Sequence, residues 1–428
     1  MAKGMWQPLS SPLVRNLSDG DMPNLELPAR VPLAELPPAY DAQSLKRTVA
    51  ELADPSLEGR GLGSEGLHRA TALVEARLRA AGLESAAENG IRQSWRWTGG
   101  EPAREMELVN LVARVPGRDP KFTNEPVLVI AHLDHLGRGW PDSREGNENQ
   151  VHPGADDNAS GVAVLLELAR AMASEPPRPR PVVFAIVTGE EAGLLGSRHL
   201  LASMTPDEKP FACVNLDTVG RLADGKLYVL NADTAREWRF IFMGVGYTTG
   251  APVTVVSEPL DASDQVACIE MGVPAIQLFT GPTPDYHRPS DTVDTIDADG
   301  MVVVTEAAHE AIGYLAERTD PLTVTIAAAA NDGDGPPPRT SRRASLGTMP
   351  DFAFEGPGVR VQQVMPGSAA EESGIIAGDV ILAIDGATVT DLRSFSDLLK
   401  ARAPGDAVEV TVLRGDEEQI VEAVLGAR

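Results

Sequence analysis

An α/β fold with a mostly parallel central sheet is the fold class this sequence predicts, on three observations. Short, β-branched-rich apolar runs recur up to about residue 320, each too uniformly hydrophobic for a strand with one solvated face. Segments with helical spacing of apolar residues alternate with them, which implies helices covering both faces of the sheet. Clusters of His, Asp and Glu follow the runs, as expected where an open α/β sheet builds a site at the carboxyl ends of its strands.

Taken in order, residues 1–40 are rich in Pro, Leu and Ser without sustained periodicity and read as an extended N-terminal arm. Helical patterns cover 44–53 and 65–81, joined by the turn-rich LEGRGLGSEG, and the second puts Leu67, Ala70, Leu73, Val74 and Leu78 on one face. A strand is predicted over 107–115, and a buried one over 127–131 ends in His132 and Asp134, which the period of two points the same way. Asp156, Asp157 and Asn158 stand before a helical segment at 159–173, where Asn158 is placed to cap it and Asp156 reads as a turn residue. A second buried run at 182–187 delivers Glu190 and Glu191. Strands at 211–216, ending in Asp217, at 226–230 and at 274–279, with helices at 264–271 and 301–316, complete the alternation.

The composition excludes several classes. Against 37 basic residues stand 62 acidic ones, and a net charge of -25 repels phosphate backbones, so no nucleic acid partner is expected. No run of about 18 apolar residues exists to span a membrane. The N-terminus lacks the apolar stretch of a signal peptide. Cys213 and Cys268, each inside an apolar run, read as buried free thiols. Ser160 in DNASG has no Ser-His-Asp context, and GRGLGSEG follows no strand, so neither a serine hydrolase nor a dinucleotide site is indicated.

After residue 320 the chain becomes small, polar and Pro-rich, which marks 321–343 as a linker that cannot bury a core. The predicted domains are therefore an arm (1–40), an α/β domain (41–320), the linker, and a compact β-rich unit (344–428). In the last, strands are expected at 358–364, 380–384, 407–413 and 420–425, with helices at 368–373 and 392–401. SLGTMPDF, GVRVQQVMPGSAAEESGIIAGDVILAIDG and GDAVEVTVLRGDE, spanning nearly all of it, resemble a bacterial PDZ domain. The resemblance implies a C-terminal peptide ligand added to a sheet edge, with its carboxylate in a backbone nest near Leu346, Gly347 and Thr348.

His132, Asp157, Glu191, Asp217 and His287 come from five separate strand ends or loops and together offer carboxylate oxygens and imidazole nitrogens. That donor set suits a zinc-class ion, and a pair of ions needs one ligand able to bridge. AHLDHLG, GADDNASG, TGEEAGLLGS, NLDTVG and DYHRPSDT, in this order, resemble the motifs of the co-catalytic two-zinc aminopeptidases of the bacterial leucyl aminopeptidase and Streptomyces aminopeptidase type. LEGRGLGSEG and GVPAIQLFTG support the likeness. It implies two Zn²⁺ per chain, His132 and Asp217 on one, Glu191 and His287 on the other, and Asp157 bridging. Glu190 would be the general base and acid acting on a water between the ions, Asp134 would orient His132 from behind, and Tyr286 would stabilise an oxyanion. The implied reaction is hydrolysis of the first peptide bond of peptides with a free amino terminus, and the likeness suggests export. Two other enzymes share the fold and ligands, a carboxypeptidase and, with one metal, a glutaminyl cyclase. A peptide-binding adaptor with a vestigial metal site is the reading from a different class. His135 and His152 read as solvated loop histidines, and His68, His199 and His309 as surface or core residues on helices.

Overall fold

The computed structural model describes residues 40–87, 90–144, 146–205, 207–222, 225–260, 262–326, 344–352, 354 and 356–427. The predicted arm, apart from Tyr40, and most of the predicted linker lie outside them.

The α/β part runs α1 (Ala42–Leu52), α2 (Glu65–Ala80), β1 (Glu84–Ser85), β2 (Arg92–Gly99), β3 (Arg104–Val115), β4 (Val127–His132), α3 (Gly161–Ser174), β5 (Val182–Val187), α4 (Leu195–Ala202), β6 (Ala212–Leu216), β7 (Leu227–Leu230), α5 (Trp238–Thr249), β8 (Val253–Val255), α6 (Gln265–Glu270), β9 (Ala275–Phe279) and α7 (Ala298–Glu317). Local chemistry sets the helix starts. Asp41, Ser64 and Asp297 cap α1, α2 and α7 by accepting from backbone N–H groups of the first turn.

The strands form one sheet in the order β1-β3-β5-β4-β6-β9-β7-β8, with β2 also paired to β3. Its centre, β5-β4-β6-β9, is parallel, as the all-apolar runs require, and antiparallel pairs flank it. Every residue of β4, β5 and β6 is buried. One apolar cluster packs α1, α2, α3, α5 and α7 on the sheet, and a smaller one joins α4 and α6 to it.

Two expectations are corrected here. Cys213 on β6 and Cys268 on α6 are joined in a disulfide with Cα atoms 6.6 Å apart. The apolar setting of each cysteine was read correctly; their proximity depends on α6 lying against the sheet, which a separation of 55 residues does not reveal. Residues 321–326 are not linker-like, because Leu322 is buried, Val324 bridges to Ala235 and Thr325 N–H donates to Thr234 O at 3.0 Å.

The C-terminal unit contains β10 (Ala344–Ser345), β11 (Thr348–Pro350), β12 (Val359–Val364), α8 (Ala369–Glu372), β13 (Val380–Ile384), β14 (Ala387–Thr388), α9 (Leu392–Lys400), β15 (Ala407–Arg414), β16 (Glu417–Val424) and β17 (Gly426–Ala427). An antiparallel sheet, β11-β12-β13-β15-β16, closes over its own core of Val361, Ile381, Ile384, Phe395, Leu399 and Val410.

Candidate metal centre

Five elements bring the site together at the carboxyl end of the parallel strands. His132 is the last residue of β4, and β5 runs into a turn carrying Glu190 and Glu191. Asp217 follows β6, and His287 lies in the loop after β9. Asp157 sits in an irregular turn, Ala155–Ser160, that leads into α3. That turn needs Gly154 at its start. Its φ is +59°, and a β-carbon there would meet the carbonyl oxygen of Asp157 at 2.3 Å.

The two oxygens of Asp157 face different partners. Oδ1 lies 3.3 Å from His132 Nε2, which is also 3.5 Å from Asp217 Oδ1. Oδ2 lies 3.2 Å from His287 Nε2, which is also 3.3 Å from Glu191 Oε2. Donors about 2.0–2.1 Å from a tetrahedral zinc stand about 3.3 Å apart, which is the edge of that tetrahedron. His132 Nε2 and His287 Nε2 are buried with no hydrogen-bond partner, so each imidazole aims a donor nitrogen into the carboxylates around it. The residues present therefore fit a zinc-class ion on either side of Asp157.

Electrostatics agree. Burial would lower the imidazoles of His132 and His287, yet the carboxylates at their Nε2 atoms outweigh it and hold both well above the ordinary value. Burial would raise Asp157 and Glu191, yet the surrounding imidazoles hold Asp157 well below the carboxylate range and Glu191 at about 2. The cluster thus calls for positive charge at its centre, which metal ions supply. Glu190 differs. Burial, with Glu191, Asp264 and Asp217 nearby, pushes it well above the carboxylate range despite His132. Among the described residues it forms no ion pair with either imidazole.

Other groups hold these residues in place. His132 Nδ1 is 3.0 Å from the backbone oxygen of Asp134, while the Asp134 carboxylate is 4.0 Å away and accepts from Glu190 N–H at 3.2 Å. The expected orienting of His132 thus comes from the Asp134 main chain, and its side chain fixes the Glu190 turn. His287 Nδ1 is 3.1 Å from Asp142 Oδ2, a carboxylate–imidazole pair of the kind that sets a ligand's tautomer. Tyr286 stacks on His287 with ring centroids 3.9 Å apart.

Several residues read otherwise from the sequence belong to this centre. His135 and His152 are buried rather than solvated. His135 Nδ1 is 2.8 Å from Glu191 Oε1 and 3.9 Å from Asp157 Oδ2. The shorter distance is that of a hydrogen bond, and His135, Asp157 and Glu191 also offer ligand atoms close enough together to hold an ion, so His135 and His287 both face Glu191. Asp156 is more than a turn residue, because it accepts from Gly220 N–H at 2.7 Å and pairs with Arg221 at 3.5 Å. Burial beside Asp291 pushes it up to about 8.

Arg221 also binds Asp285 at 2.6 Å and Asp291 at 3.1 Å. Asp291 in turn accepts from the N–H groups of Asp156 and Asp157. One arginine and three aspartates so tie the loops of Asp157, Asp217 and His287. Asn158 Oδ1 accepts from Gly161 N–H at 3.0 Å at the start of α3, in line with its expected capping role, and its amide donates to Leu216 O. Arg60 was missed altogether. Fully buried, it donates to the backbone oxygens of Leu133, Leu52, Pro153 and Gly154. His68 is half-exposed, His199 stacks on Trp95, and His309 Nδ1 lies 2.6 Å from Tyr40 Oη, none of them near the centre.

Residues 110–312 match the model of Peptidase family M28, and residues 337–425 match that of the PDZ domain. The probable leucine aminopeptidase 1 of Trichophyton verrucosum is 28% identical over 229 residues, covering 49% of this chain and 57% of that protein. Aminopeptidase YwaD of Bacillus subtilis is 31% identical over 222 residues, covering 46% of this chain and 43% of that one. The match thus spans little more than half the length of the curated fungal relative. Among solved structures, BSAP, a zinc aminopeptidase from Bacillus subtilis, superposes with a TM-score of 0.54 over 69% of this chain and 100% of that chain, at 17% identity. A glutaminyl cyclase of an Acidobacteriales bacterium does so with a TM-score of 0.52 over 68% and 99%, at 22% identity. These superpositions speak to fold alone.

Proposed function

We propose that this chain, whose residues 110–312 match Peptidase family M28 and whose residues 337–425 match a PDZ domain, acts as an aminopeptidase on peptides, using two zinc ions. One observation carries this reading. The two oxygens of the Asp157 carboxylate face two separate imidazole–carboxylate pairs, which one ion would not require. The aminopeptidases named above, of fungal and Bacillus origin, support the class of substrate.

His132 and Asp217 would hold one ion, His287 and Glu191 the other, and Asp157 would contribute to both. When bound, the ions supply Lewis-acid polarisation of the scissile carbonyl and of the attacking water. Glu190 stands in the same turn as Glu191 but apart from the imidazoles, free to take a proton and pass it to the leaving amine. The Asp134 carboxylate accepts from the Glu190 N–H and ties down that turn. Tyr286, stacked on His287, would stabilise the oxyanion.

The test pairs a substrate screen with two substitutions. Aminoacyl-p-nitroanilides should be hydrolysed while N-acetylated peptides and C-terminal-reporter peptides are not, and N-terminal glutamine should not cyclise. Glu190→Gln should lower kcat by about 10²–10⁴-fold with metal content unchanged. Glu191→Gln should lower metal content instead. The assignment of roles fails if Glu190→Gln loses metal and Glu191→Gln keeps it, and the two-ion reading fails if one bound ion restores full activity.

A further inference from the structure

We propose that the PDZ groove and the metal centre read a single peptide, so that the enzyme selects oligopeptides with a free carboxyl terminus as well as a free amino terminus. This rests on the aminopeptidase reading and adds to it a substrate length and a C-terminal determinant.

The argument begins where the two domains touch. Phe352, just beyond β11, packs on Phe279 and Tyr228 of the peptidase domain, with ring centroids 5.7 and 5.8 Å away. Leu230, Val256 and Leu260 complete that apolar patch. Burial raises the carboxyl of Asp233 in the peptidase domain, and Arg393, at the start of α9, lies near enough to oppose that rise. The end of β11 and the start of α9 therefore both face the peptidase domain.

Phe279 is no remote surface residue. In the parallel register of β6 and β9, Leu216 pairs with Leu278, so Phe279 stands beside the metal-centre residue Asp217. Hydrogen bonds clasp this point, from Asp217 N–H to Leu278 O at 3.3 Å and from Thr280 N–H to Thr218 O at 3.0 Å. The loop that follows carries His287.

The direction of a bound peptide follows from β11. Among the described residues β11 pairs only with β12, which leaves its other edge for an added strand. The turn at Leu346 and Gly347 lies at the start of β11, and Gly347 has a φ of +78°, with Ser368 where a β-carbon would go. The Thr348 hydroxyl beside it is buried and lacks a hydrogen-bond partner. A carboxylate seated at this turn makes the added chain run antiparallel to β11. Its upstream residues then leave past Pro350 and Phe352, toward Phe279 and the centre beyond.

The spacing is short. Adjacent strands lie about 4.8 Å apart and each ring centre stands about 4 Å from its own Cα, so the Phe352–Phe279 contact puts the groove's exit up to about 18 Å from the strand bearing Asp217, or about five extended residues. With about four residues along β11 and one or two at the metal centre, a peptide of about ten or eleven residues reaches both.

The test uses the full chain with its metal restored and a series of peptides of three to twelve residues sharing one N-terminal sequence, each made as the free acid and the C-terminal amide. The ratio of kcat/KM for acid over amide should stay near one for tripeptides, then rise at least tenfold at about ten to twelve residues, mainly through KM. In Phe352→Ala the long-peptide ratio should fall several-fold, because the groove is no longer held against Phe279. A ratio near one at every length in the wild type would overturn the proposal, as would a long-peptide advantage that Phe352→Ala leaves intact. Aminoacyl-p-nitroanilide, too short to reach the groove, separates the two readings. If it is cleaved while the ratio stays at one, only this inference falls; if it is not cleaved, the aminopeptidase reading falls and takes this one with it.

Discussion

Arg60 offers the sharpest test of how the centre is held. Its guanidinium is fully buried and has no ion-paired carboxylate among the described residues, yet it donates to Leu133 O at 2.8 Å, Leu52 O at 2.5 Å, Pro153 O at 2.8 Å and Gly154 O at 2.8 Å. Three of these oxygens, of Leu133, Pro153 and Gly154, belong to the segments that carry His132 and Asp157. Hydrogen bonds to a charged donor contribute about 1.5–2 kcal/mol each, or roughly 6–8 kcal/mol for four. Against this, burial presses the guanidinium down to about 10, a residual penalty on the charge of about 3 kcal/mol. Arg60→Met should therefore cost about 3–5 kcal/mol, the range seen when a buried charged network loses a member. An unfolding entropy of about 0.6 kcal/mol/K, expected for a domain of roughly 290 residues, turns this into a fall in Tm of about 5–8 °C. Differential scanning calorimetry of the metal-loaded protein reads the shift, and titration against a competing chelator should show weaker metal binding as well. A fall in Tm under about 2 °C with unchanged metal affinity would refute the view that these four bonds fasten the centre from below.

Two further perturbations act on separate parts of the frame. Reducing the Cys213–Cys268 disulfide, or replacing both cysteines with alanine, opens a loop of 55 residues and should destabilise the domain by up to about 4 kcal/mol; an unchanged denaturant midpoint with and without reductant argues against the bond. Asp291→Ala removes the acceptor for the Asp156 and Asp157 N–H groups and one partner of Arg221, so metal affinity by chelator competition should drop more than tenfold; retention of wild-type affinity would show that the Asp157 turn holds itself.

What the sequence made legible, and what it concealed, divides along a physical line. The parallel strands were plain because β4, β5 and β6 are buried on both faces and, apart from Asn215 and the terminal His132, carry only apolar residues. For the same reason the polar residues that follow, from His132 to Asp217, announced a site at the strand ends. β2 was missed because its residues alternate between half-buried and exposed among polar neighbours, a weak pattern on a sheet edge. α5 was missed because Phe240, Met243 and Tyr247 are exposed on it, which blurs the apolar stripe.

The supporting groups of the centre were concealed for a different reason. A ligand can be recognised by residue type, but Arg60 works through main-chain oxygens of residues that any sequence could supply, and Asp134 reaches His132 through its own carbonyl. Asp142, Arg221 and Asp291 lie between 64 and 145 residues from the groups they hold. Their roles depend on the fold having first brought the loops together. The same holds for Phe352. In sequence it is only part of the SLGTMPDF stretch that resembles a PDZ domain, and only the β6–β9 register places its partner Phe279 beside Asp217. A centre assembled from five strand ends thus leaves its ligands visible in sequence and its scaffold invisible. Substitutions chosen by residue type alone would test the first and leave the second untouched.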